Sequence, residues 1–97
     1  MESIDQPERF HELSEERKQF LLNWIADNLL PIQTFNTKFT SYGLKHLIDD
    51  EYFTNGEFKG AMLESGYKVK DKTTQNWVFN ISQRSPIIMK KKFKGEL

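Results

Sequence analysis

Ninety-seven residues, 37% hydrophobic and 29% charged, describe one small domain, because a second core needs a longer chain. The absence of cysteine excludes disulfides, thiolate catalysis and thiolate zinc sites, and points to a reducing compartment, so a cytoplasmic protein is expected. A net charge of zero hides an asymmetry: residues 1–33 carry three basic and seven acidic side chains, residues 34–66 three and five, and residues 67–97 eight and two.

Residues 1–12 mix charge with Pro7 and show no sustained period, which predicts a flexible N-terminal arm with Phe10 tucked onto the domain. They also lack a basic flank followed by an apolar stretch, and no apolar run approaches the ~18 residues of a bilayer span, so neither signal peptide nor membrane partner is expected. Ser14 is a good N-cap, Glu15 and Glu16 suit the positive end of the helix dipole, and Phe20, Leu21, Trp24, Ile25 and Leu29 recur at helical spacing. The first predicted helix runs to Leu30 and stops at Pro31. Residues 31–40 read as a loop anchored by Phe35 and Phe39. Thr40 or Ser41 caps a second helix through Asp50, with Tyr42, Leu44, Leu47 and Ile48 as its apolar set. Thr54 and Glu57 fit a capping box, and a third helix carries Phe58, Ala61 and Met62 to a stop at Gly66. Tyr67–Lys70 and Asn76–Ile81 then alternate apolar and polar residues, which predicts two strands joined by a polar turn. Trp77, Phe79 and Ile81 share the inner face.

The order of three helices followed by a two-stranded β-hairpin is α+β and winged helix-turn-helix-like, with residues 13–82 as the domain and 83–97 as a basic C-terminal tail. Gly66-Tyr67, the charged strand after it and Asn76-Trp77-Val78-Phe79-Asn80-Ile81 resemble the winged-helix unit at the end of phage-type primase-helicase proteins, over residues 52–81. Thr40–His46 with Asn55–Leu63 also resembles small uncharacterised proteins of phages and prophages. The resemblance implies a phage-related winged helix that contacts DNA, and supplies no site.

Enzyme chemistry finds no support in the residues. His11 and His46 are separated by the first helix, there is no paired metal-ligand spacing, and neither histidine sits in a triad motif, so no metal, cofactor or catalytic residue is expected. Asp49-Asp50-Glu51 lacks the alternation of a calcium loop and reads as a solvated turn. Gly56 and Gly60 resemble fragments of a phosphate loop without its Gly-Lys-Ser/Thr. Nucleic-acid binding needs cations for phosphates and polar groups for bases, and the hairpin offers both in Lys68, Lys70, Lys72, Thr73, Thr74, Gln75 and Asn76. Lys59, Arg84, Lys90, Lys91 and Lys92 extend the set. The third helix is a poor groove reader, because its expected outer face, Asn55, Glu57, Lys59, Gly60 and Glu64, has one cation and two carboxylates. The expected function is therefore DNA binding through a basic ribbon and tail, by a monomer or weak homodimer. The alternative is a protein-binding adaptor or inhibitor that uses its acidic first two-thirds or the patch Ile87-Ile88-Met89.

Overall fold

The computed structural model describes residues 3–97. Ser14 caps helix α1 (Glu15–Asn28), its hydroxyl accepting from the Arg17 amide, and buries Leu21 and Ile25. Trp24, expected in the core, is only half-buried against it. The helix ends two residues before Leu30, where the chain turns extended and the Leu30 amide donates to Ser85 Oγ at 2.9 Å. Helix α2 (Ser41–Lys45) is five residues long, much shorter than its apolar pattern predicted. Single turns at Leu47 and Ile48 follow before the carboxylates of residues 49–51, which oppose the negative end of a helix.

Helix α3 (Asn55–Glu64) starts on the expected capping box and ends in a Schellman motif. Gly66 takes φ +88° there, while the Tyr67 amide donates to Met62 O and the Gly66 amide to Leu63 O. The face expected to point outward is covered over most of its length: Asn55, Lys59 and Gly60 are buried and Glu57 is half-buried, while Glu64 is exposed as expected. The cover is the N-terminal segment, in which Pro7–Glu12 forms a 3-10 helix and Phe10 is 3% exposed. A Cβ on Gly56 or Gly60 would collide with the Gln6 and Pro7 carbonyls, so these glycines let two backbones approach and are not parts of a phosphate loop. The stretch expected as a tail contains helix α4 (Pro86–Phe93), which sets Ile87 and Ile88 into the core and ends in a second Schellman motif at Gly95, φ +74°.

The α+β, winged-helix expectation is overturned. Among the described residues there are four α-helices and one 3-10 helix, and no strand, so the hairpin and its wing are absent. The alternation holds for one face only: Trp77, Phe79 and Ile81 are buried, but Asn80, expected on the wet face, is also buried at 7% and Val78 is half-buried, so the pattern reports an extended chain and not a ladder. Segment 76–82 divides its backbone bonds among several neighbours. Ile32 donates to Asn80 O, Asn36 to Phe79 O, Ser41 to Trp77 O and Lys70 to Val78 O. Side chains take the remaining positions, Asn80 Oδ1 accepting from the Lys68 amide and Ser41 Oγ from the Trp77 amide. The result is three isolated antiparallel bridges, Pro31 with Ile81, Thr40 with Val78 and Val69 with Phe79. Among the described residues no helix is long and apolar enough to cross a membrane.

Candidate functional site

A depression of ≈ 450 Å³ opens where α2, the segment before α3, the N-terminal segment and residues 75–76 converge. Its first wall comes from α2. The Thr40 cap and the pairing of Ser41 with Trp77 fix the helix start, and Tyr42, Lys45 and His46 then face the opening. Tyr52 closes that side, held by the Arg17 guanidinium, which donates to its carbonyl and to Glu51 while lying 4.5 Å from the centre of the Phe53 ring. Tyr52 and Phe53 thus divide one pair of roles: Tyr52 is 65% exposed and Phe53 1%.

Lys45 is the central group. Only 6% exposed, it places Nζ 4.5 Å from the centre of the Tyr52 ring and 5.2 Å from that of Tyr42. Such contacts are worth ~0.5–1 kcal/mol each at exposed sites and more when dry. Among the described residues the ammonium makes ring contacts and no hydrogen bond, and Lys45 lines the cleft. Burial pulls its pKa below the usual lysine value, and the charge of Glu57 opposes that shift.

The opposite wall is a hydrogen-bonded clasp. Asn55 Nδ2 shares its two hydrogens among Asp5 Oδ1, Gln75 O and Asn76 Oδ1, at 2.9, 3.1 and 3.0 Å, and Gln75 Nε2 donates to Asp5 Oδ2 at 3.0 Å. The bond from Asn55, with those from Gln75 and Ser3 and the charge of Lys59, holds the Asp5 carboxyl below its ordinary pKa against the effect of burial. Asn55 Oδ1 is buried without a partner among the described residues.

The candidates named from sequence fall into three groups. Gln75 and Asn76 line the cleft, and Asn76 also borders a smaller hollow of ≈ 260 Å³ with Lys70, Asp71, Thr74 and Val78. Thr73 and Thr74 build the turn that connects them, both Thr73 groups donating to Asp71 Oδ1 and Thr74 Oγ1 to Asp71 O. Lys68 and Lys72 are exposed on the same stretch, the Lys72 carbonyl accepting from Trp77 Nε1. A second group has internal partners. Lys59, 3% exposed, donates to Asp5 O at 3.0 Å and lies 4.7 Å from the centre of the Trp77 ring. Lys91, 8% exposed, pairs with Asp49 at 3.1 Å and Glu96 at 3.4 Å; the Asp49 bond foremost raises its pKa. The third group, Arg84, Lys90 and Lys92, is exposed away from the lining of the cleft.

Sequence reasoning missed Tyr42, Lys45, His46 and Tyr52 as one set. The Tyr-x-x-Lys-His spacing at 42–46 was legible as one helical turn, but Tyr52 joins it only through the Arg17 anchor. No family model, curated protein or solved structure matches the chain.

Proposed function

We propose that this protein binds nucleic acid, preferentially single-stranded, in the Tyr42–Lys45–Tyr52 cleft. The observation that carries the reading is the pairing of two broadly exposed tyrosine rings with a lysine ammonium that lies over both. Unpaired bases stack on aromatic rings at ~1–3 kcal/mol each, and cations beside them track the phosphates. Gln75 Oε1 and Asn76 Nδ2, the amide ends that the clasp does not engage, suit base edges, and Lys68, Lys70 and Lys72 supply exposed charge along the approach. A duplex fits less well, because α3 is covered by the N-terminal segment and presents no helix to a major groove.

Fluorescence anisotropy of labelled single-stranded and duplex DNA and RNA at two salt concentrations tests this. Expected are salt-weakened binding, a preference for single strands and a flatter salt slope when Lys68, Lys70 and Lys72 are replaced together by Ala. Absence of binding at low salt overturns the reading.

One observation favours a second reading, a protein–protein contact through α4. Phe93 is 95% exposed and Met89, one turn earlier, is 50% exposed, with Lys90 and Lys92 beside them. Sedimentation velocity over a range of concentrations, with Phe93→Ser alongside, detects self-association through this face; identical monomeric profiles for both chains remove it.

A further inference from the structure

Helix α4 has an inner and an outer side of different chemistry. Ile87, Ile88 and Lys91 are buried, and Asp49 and Glu96, the carboxylates this helix engages, both pair with Lys91. On the outer side Pro86, Met89 and Phe93 follow one another at spacings of three and four, and all are exposed, so they form one apolar crest from the first turn to the last. Phe93 is 95% exposed. Lys90 and Lys92 fall about 80° to either side of the line from Met89 to Phe93. Both are exposed, as is Lys94, and none of the three makes an ion pair among the described residues.

From this arrangement we infer that α4 docks the protein on an anionic lipid surface, with Met89 and Phe93 entering the acyl boundary and Lys90, Lys92 and Lys94 at the lipid phosphates. The inference is independent of the cleft and goes beyond the nucleic-acid reading. A helix that lies in the interface needs none of the length that a span requires. Lysine stems extend along apolar surface and leave their ammonium groups at headgroup level, where anionic lipids attract them. The order of the groups decides among occupants. A nucleic-acid backbone laid on this side would meet the apolar crest before it met a lysine, and a second copy would bring the lysines of both crests around one seam. A lipid surface accepts the crest and the flanking lysines together.

The test is flotation of the full chain with vesicles of phosphatidylcholine alone and of phosphatidylcholine mixed with phosphatidylglycerol, at two salt concentrations. Expected is binding to the anionic vesicles only, weakened by salt. Phe93→Ser should weaken it about tenfold, and each of Lys90, Lys92 and Lys94 replaced by Gln should weaken it about fivefold. Phe93→Trp should retain binding and add emission that shifts to the blue on anionic vesicles. These side chains are exposed, so the melting curves of the variants should match that of the parent. Equal binding to both vesicle compositions, binding to neither, or full binding by Phe93→Ser overturns the proposal. Displacement from vesicles by excess oligothymidylate would place the contact in the cleft and overturn it as well. Concentration-dependent dimers that Phe93→Ser abolishes, without vesicle binding, would assign the crest to a second copy.

Discussion

Lys45 and Lys59 lie on helices either side of the same clasp, and both are withdrawn from solvent to nearly the same degree, 6% and 3% exposed. Burial pulls both pKa values down, and both ammonium groups rest on aromatic rings. They differ in their acceptors. Lys59 donates to the Asp5 carbonyl and so fastens the N-terminal segment to α3, whereas Lys45 makes no hydrogen bond among the described residues and lines an open cleft. A cation with a protein acceptor is a structural fastening; one without leaves its donors to water or to a bound anion. The contrast separates a region that packing accounts for from one whose cation packing leaves without an acceptor among the described residues.

The packed region should fail most severely when its centre is removed. Trp77 is 4% exposed, lies beneath Lys59 and donates to Lys72 O, so Trp77→Ala should cost ~3–5 kcal/mol in urea denaturation. Next in size is Gly60→Val, which sets a side chain into the Pro7 carbonyl and Phe10; overpacking of this kind costs ~1–3 kcal/mol and should release residues 3–12 to proteolysis before the rest. Sharper is the pair Lys59→Met and Lys45→Met. The first should lose ~1–3 kcal/mol with its charge-assisted bond, and the second should change stability by less than ~0.5 kcal/mol or raise it, while abolishing binding. Equal losses in the two variants would dissolve the contrast.

The smallest expected effect is in pH. Because hydrogen bonds from Asn55 and Gln75 hold the Asp5 carboxyl below its ordinary 3.8, its charged form belongs to the folded state. Its stabilisation is complete above that ordinary value and fades as pH falls through the lower folded pKa. Asp5→Asn should flatten the acid limb of stability against pH, and an unchanged limb would remove Asp5 from the clasp.

Local signals in the sequence carried far. Ser14, the Thr54–Glu57 box and Gly66 each act over three or four residues, and each sits where the residue pattern put it. The pairing of extended segments was illegible, because Asn80 and Ser41 place side chains where a ladder would use backbone, and nothing in alternation distinguishes the two. Gly56 and Gly60 were visible as an i, i+4 pair, yet their meaning depended on a segment some fifty residues earlier. Of the site, Gln75 and Asn76 were legible as polar turn residues. Lys45 was not, since its importance lies in the acceptor it lacks.

A titration of the isotopically labelled chain with a short oligothymidylate, followed by proton–nitrogen correlation spectra, addresses the cleft most directly. Shifts should centre on Tyr42, Lys45, Tyr52, Gln75 and Asn76, extend to Lys70, and leave the amides of Ile87 to Phe93 in place. Shifts confined to α4, or a spectrum that does not move at low salt, would contradict the assignment of the cleft.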